Sequence, residues 1–251
     1  MIGPLPYIGG KRALAKEIIG YFPKHTTYVE PFAGGAQVFF RKGPSKVEVL
    51  NDLDHEIVNF FRVCQQHSEE LVRYLKFMVA SREWFDLLDA TDAAKLTDIQ
   101  RAARYFYLAK NCYAGLVRRR NFAWSVEQAN RFNPERIPEK IEETRQRLAR
   151  VQIECLPYEK VLKRFDRPDT LFYLDPPYYA LQLYRYNFVH EDFVKMAQLL
   201  KDLRGKFLLS LNDVPPVREM FKRFTIRNVE LAYTAQKKPG KKFKEMLITN
   251  F

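Results

Sequence analysis

The stretch Leu171-Phe172-Tyr173-Leu174-Asp175-Pro176-Pro177-Tyr178 joins an apolar run to a carboxylate, two prolines and an aromatic ring. Four apolar residues, two of them aromatic, suit a buried strand of a mostly parallel sheet. Proline has no amide proton to give to a ladder, so the chain leaves the sheet just after Asp175. Open α/β sheets bind ligands outside the carboxyl ends of their strands, which makes this exit a candidate site. There Asp175 can accept a hydrogen bond from an amino group, and the Pro176 carbonyl can accept a second. Pro177 stiffens the exit, and Tyr178 can lie flat on a planar ring. The set suits an exocyclic amine on an aromatic base. Drawing both amino protons toward acceptors frees the nitrogen lone pair to attack an electrophile, and the carboxylate matches the positive charge that then develops. Taken alone, the same residues also read as an Asp-Pro turn under an aromatic lid.

Upstream, Thr27 to Phe40 reads as a short strand, a turn of small residues and a helix. Gly34 and Gly35 let backbone approach a ligand closely, and a helix start offers unpaired amides. The turn is neither G-x-G-x-x-G nor a P-loop, which weakens dinucleotide and triphosphate readings. A second strand, Lys46 to Leu50, ends at Asn51-Asp52. An acid roughly 20 residues past the glycine turn is where Rossmann-like sheets hydrogen-bond a ribose, although Asp52 could equally cap the next helix. At the start of the chain, Pro6-Tyr7-Ile8-Gly9-Gly10-Lys11 precedes a helical stretch from Ala13 to Tyr21. A lysine beside two glycines can hold a carboxylate.

In content and order, Tyr7-Ile8-Gly9-Gly10-Lys11, Glu30-Pro31-Phe32-Ala33-Gly34-Gly35, Asn51-Asp52 and Asp175-Pro176-Pro177-Tyr178 resemble the D12-class, Dam-like DNA adenine N6-methyltransferases. The resemblance implies an α/β fold, a Rossmann-like methyltransferase sheet with an inserted, mainly helical target-recognition domain. It implies catalytic residues 1–57 and 134–251 around a DNA-binding insertion at 58–133. S-adenosylmethionine is the implied cofactor, with no metal, contacted by Tyr7, Lys11, Glu30, Phe32, Gly34, Gly35, Asp52, Tyr158 and Asp175. Double-stranded DNA is the implied substrate, and a cognate restriction endonuclease is a further partner that the resemblance allows. Tyr7 stands where some members carry tryptophan, and Ala36 follows the glycines where other small residues occur. Neither change removes a needed group. An RNA or protein-glutamine methyltransferase could share the central turn, but the glutamine enzymes typically carry Asn in place of Asp175. An idle DNA-binding protein of the same fold would have no need of Tyr7, Lys11, Asp52 and Asp175 together.

Charge agrees with a polyanionic partner. The chain carries 42 basic and 30 acidic residues, a net +12. From Arg101 to Arg131 seven basic side chains face one acid, Glu127, an imbalance that phosphates explain better than a solvated face does. A helical pattern from Glu56 to Met78, the apolar pair Trp84-Phe85, and a capping box at Thr97-Asp98-Ile99-Gln100 opening a helix to Asn111 outline the insertion. The periodicity then gives way to a candidate basic hairpin between Cys112 and Phe132. Lys110, Asn111, Arg118, Arg119, Arg120 and Asn121 are the expected DNA contacts there, joined by Lys237, Lys238, Lys241 and Lys242 in a lysine-rich turn.

Pro134 and Pro138 mark the return to the sheet, with a helix from Glu139 to Arg150 and a strand from Val151 to Cys155. An aromatic loop from Tyr179 to Val189 could close over a base. Strands are expected at 206–211, 225–233 and 245–251. Three separated cysteines and four scattered histidines form no metal or redox spacing. No run approaches membrane length and no signal peptide is expected, so the location read from sequence is cytoplasmic. Arg119→Ala is expected to weaken duplex binding and to flatten its salt dependence by about one unit of log–log slope. A slope unchanged from the parent, measured by titration at several salt concentrations, would move the phosphate contacts elsewhere.

Overall fold

The apolar run before Asp175 becomes β4 (Thr170–Leu174), a strand with every residue buried, at the centre of a computed structural model that describes residues 1–7, 11, 13–113, 120–182, 184–231 and 243–251. Six more strands complete its sheet. They are β1 (Thr27–Glu30), β2 (Val47–Asn51), β3 (Gln152–Glu154), β5 (Lys206–Asn212), β6 (Thr225–Leu231) and β7 (Phe243–Thr249). Their spatial order is β3-β2-β1-β4-β5-β7-β6. The first five pair in parallel, and β7 inserts antiparallel between β5 and β6. The order reverses between β1 and β4, which opens a crevice at their carboxyl ends.

Alternation along the strands supplies two apolar faces. Tyr28, Leu171, Tyr173, Leu208 and Leu247 face one core, and Val29, Phe172, Leu174, Leu209 and Ile248 face the other. Helices α7 (Tyr158–Phe165), α8 (His190–Lys201) and α9 (Pro215–Phe221) cover the second face through Val161, Phe193, Met196, Val217 and Phe221. The first face carries α1 (Ala15–Gly20), α2 (His55–Gln66), α3 (Ser68–Leu75), α4 (Arg82–Ala90), α5 (Asp98–Asn111) and α6 (Ile137–Leu148). Its apolar cluster runs without a break from Tyr28 and Phe40 through Phe61 and Phe60 to Phe106, Tyr107 and Phe132. The Phe60 ring stacks on Phe106 with centroids 5.8 Å apart, so α2 is the hinge plate between the sheet and the helices that follow it.

Several expected elements differ. The helix expected over Glu56 to Met78 breaks at His67, whose backbone (φ −136°, ψ 40°) is not helical, and the chain turns into α3. The helix expected after the glycine turn is a series of turns instead. Gly34 (φ 45°) and Ala36 (φ 48°) both take left-handed backbone, and only isolated bonds such as Phe40 N to Ala36 O (3.0 Å) follow. Helix α1 is shorter than expected, α6 starts two residues early at Ile137 with Pro138 in its first turn, and α7, α8 and α9 went unread. The capping box at Thr97 and Gln100 is present and α5 ends at Asn111, as the pattern requires. No helix among the described residues is long and apolar enough to cross a membrane.

Phe60→Ala removes the ring shared by the sheet and the helical segment, and should cost about 3–5 kcal/mol in chemical denaturation. A loss below about 1 kcal/mol would mean that the two parts do not share a core.

Candidate active site

The crevice is shaped first by Asn51, the last residue of β2 and almost fully buried. Its side-chain nitrogen donates to the carbonyls of Pro31 (2.8 Å) and Leu156 (3.0 Å), and its side-chain oxygen accepts from the Leu156 amide (2.8 Å). One amide thus clips the ends of β1, β2 and β3 together, where the strands themselves can no longer pair. The next residue, Asp52, accepts from the amides of Gly34 (2.8 Å) and Asp54 (2.9 Å). Burial raises its carboxyl to about 6, against the pull of those amides. The helix-capping role that Asp52 could have taken belongs to Asp54, which accepts from Glu56 N at the start of α2.

The glycines also admit a close neighbour from the chain itself. A Cβ on Gly34 would lie 2.8 Å from Tyr7 Cε1, and one on Gly35 would lie 2.8 Å from Tyr7 Cβ. They let the Tyr7 ring lie against the turn, and Tyr184 stacks on that ring at 6.1 Å and 21°. Across the crevice Phe32, Tyr158 and Phe188 form an aromatic wall, with centroids 5.2 to 5.7 Å apart. The Tyr179–Val189 loop is fixed at its start by reciprocal bonds between Tyr179 and Asn212, and is tied across the mouth by Arg185 to Asp54 (3.1 Å).

At the crevice floor Lys11 gathers the charges. Its ammonium donates to Asp175 Oδ1 (2.6 Å) and to the Tyr178 hydroxyl (2.8 Å), and lies 3.3 Å from Glu245 Oε1. Lys11 is 5% exposed. Burial pulls its pKa down, but Asp175, Tyr178 and Glu245 outweigh that and hold it well above the usual lysine value. Burial pushes Asp175 up to about 6, Lys11 opposing the rise and Glu245 adding to it. The lysine read from sequence as able to hold a carboxylate holds that of Asp175.

The resulting cavity is about 540 Å³ and is lined by every residue expected to meet a cofactor: Tyr7, Lys11, Glu30, Phe32, Gly34, Gly35, Asp52, Tyr158 and Asp175. Pro177 lines it as well, whereas Pro176 is buried and Tyr178 is turned toward Lys11, its ring 4.7 Å from the ammonium. Glu30 accepts from the Tyr28 hydroxyl (2.6 Å), and burial raises it to about 8. No group of three or more histidines, cysteines or acids suited to a metal exists among the described residues.

The expected DNA contacts are placed less evenly. Cys112 bridges Phe122, Tyr113 N donates to Asn121 O and Ala123 N to Asn111 O, so the base of the expected hairpin is paired antiparallel. Asn121 is exposed there, and the Lys110 ammonium lies over the Phe106 ring. Asn111 is fully buried, donating to Tyr107 O within α5, which puts its side chain out of reach of a phosphate. Arg120 is paired with Asp89 at 3.1 Å. Arg118, Arg119, Lys237, Lys238, Lys241 and Lys242 lie outside the described residues. Sequence reading missed Asn51 as a clip, Arg185, Phe188 and Glu245. Only Asn51 had a local signal, as a polar residue ending an apolar strand.

The family model described as D12 class N6 adenine-specific DNA methyltransferase matches residues 7–235. A type II methyltransferase, M1.LlaDCHI of Lactococcus lactis subsp. cremoris, is 30% identical over 98% of this chain and 94% of its own. Another, M.CviBI of Paramecium bursaria Chlorella virus NC1A, is 25% identical over 90% of this chain and 88% of its own. The DNA N-6-adenine-methyltransferase of Escherichia phage P1 is 25% identical over 86% of this chain, which spans 30% of that protein.

Asn51→Ala should strand the Pro31 and Leu156 carbonyls and cost about 1–3 kcal/mol. Thermal unfolding checks it, and an unchanged midpoint would show that the strand ends hold without the clip.

Proposed function

The chain belongs to the D12 class N6 adenine-specific DNA methyltransferase family, and from that we propose that its cavity takes S-adenosylmethionine while Asp175 receives the N6 amine of an adenine flipped out of duplex DNA. The observation that carries this reading is the placement of Asp175, beyond the last rung of β4, beside the cavity and fixed by Lys11.

The cavity suits the cofactor. Its volume lies within the roughly 300–1,000 Å³ of small-molecule sites. The Phe32-Tyr158-Phe188 wall offers apolar faces to a nucleobase, and Asp52 offers a carboxylate to a ribose. Buried Glu30 can meet an amino group. When bound, the sulfonium supplies a methyl group whose departure leaves a neutral thioether, so positioning and hydrogen-bond acceptors are what the protein must add.

Base chemistry inside the stack is out of reach, so the adenine leaves the duplex. Asp175 accepts one N6 proton and the Pro176 carbonyl accepts the other. The lone pair then points at the methyl carbon, and the carboxylate stabilises charge building on nitrogen. Lys11 fixes the Tyr178 hydroxyl, and with it the ring on which the base stacks. Residues 58–133 read the target sequence, through the segment that carries Arg118, Arg119 and Asn121. The lysines near position 240 add phosphate contacts. The type II names of two relatives support a restriction endonuclease sharing the recognition site, and a cytoplasmic setting where DNA is at hand.

Asp175→Ala should lower transfer by about 10³-fold while the protein still unfolds cooperatively. Activity surviving in that variant removes Asp175 from the mechanism. In the parent the acceptor must be ionised, so kcat should fall as pH drops through about 6, where Asp175 takes up its proton. A kcat profile flat down to pH 5 contradicts the acceptor role.

A further inference from the structure

Lys11 has two carboxylate partners, and the reading above uses only one. The second, Glu245 on β7, is 2% exposed and pairs in register with Asn212 of β5. Ser210, one pleat away on β5, donates its hydroxyl to Glu245 Oε1, and the same oxygen lies 3.3 Å from the Lys11 ammonium. The other oxygen, Oε2, is buried and has no hydrogen-bond partner among the described residues. A buried carboxylate with one oxygen unpaired is costly, and it is kept where its charge is used.

We infer that Glu245 is a positioning residue for methyl transfer, seating the Lys11 ammonium between two carboxylates so that Asp175 and Tyr178 are held at the angle the target amine requires. The inference rests on the methyltransferase reading. Lys11 comes from the N-terminal segment, Asp175 and Tyr178 from the end of β4, and Ser210 and Glu245 from neighbouring strands. Glu245 draws the ammonium toward the β5–β7 side, opposite the pull of Asp175. Electrostatics give a second consequence. The groups facing Glu245 are Lys11, Asp175, Tyr173, Tyr178 and Tyr184, and its negative charge raises Asp175, Tyr173, Tyr178 and Tyr184. Two carboxylates around one ammonium leave a net negative charge beside the target nitrogen, which favours a proton there. Removing that charge lets Asp175 ionise more easily.

The test is the pH profile of kcat for Glu245→Gln and Ser210→Ala, with cofactor affinity measured by calorimetry on each. Glu245→Gln should lower kcat by about 10²-fold. It should also shift the acid limb to lower pH than in the parent, with cofactor affinity changed less than about threefold. Ser210→Ala should move both in the same direction by less, and it carries the test if the glutamine variant does not fold. Loss of rate with the acid limb unmoved would make Glu245 merely structural and overturn the inference, as would full activity. Absence of transfer by the parent protein would instead overturn the methyltransferase reading, so the two failures are distinct.

Discussion

One buried ammonium holds the site together. Lys11 and Asp175 are 164 residues apart in sequence and 2.6 Å apart in space, and the same nitrogen reaches the Tyr178 hydroxyl and Glu245. An unpaired buried charge costs about 3–5 kcal/mol when its partner is removed, so the N-terminal segment cannot leave the floor of the crevice cheaply. That segment also carries Tyr7, which lies on the glycine turn and under Tyr184. The ion cluster therefore fixes the Asp175 carboxylate and one wall of the cavity with the same chain segment.

The sheet makes this arrangement available. Parallel strands deliver their carboxyl ends to one edge, and the reversal between β1 and β4 leaves a gap there. Asn51 holds the β1, β2 and β3 tips on one side of the gap. The antiparallel β7 brings Glu245 to the other, beside β5. The helical segment then rises from the same edge, sharing its apolar core with the sheet through Phe60 and Phe61. A target-reading segment mounted on that shared core would move little relative to Asp175, which suits a reaction that needs alignment more than acid or metal chemistry.

Much of this was legible in the sequence where local physics decides. Leu171 to Leu174 suited a buried strand, and Pro176 marked its end. Thr97 and Gln100 announced α5 because a capping box satisfies two amides within four residues. The misreadings have equally local causes. Apolar positions Val63, Leu71 and Leu75 keep helical spacing across His67, so the pattern hid the bend. Pro215 and Pro216 look like loop residues, yet proline suits the first turn of a helix, and α9 begins on them. Glu245 was invisible for another reason. A charge at the start of a strand ordinarily faces water, and only the fold brings Lys11 and Ser210 to it. The glycine turn was recognised, but its purpose depends on Tyr7, more than twenty residues away in the chain and in contact only after folding.

The most direct measurement is incubation of the purified protein with methyl-labelled S-adenosylmethionine and mixed-sequence duplex DNA, followed by digestion and nucleoside analysis. Label in N6-methyl-2′-deoxyadenosine, and in no other nucleoside, is the expected result. Bound cofactor with no label in DNA would contradict the account and direct the search to RNA or protein acceptors.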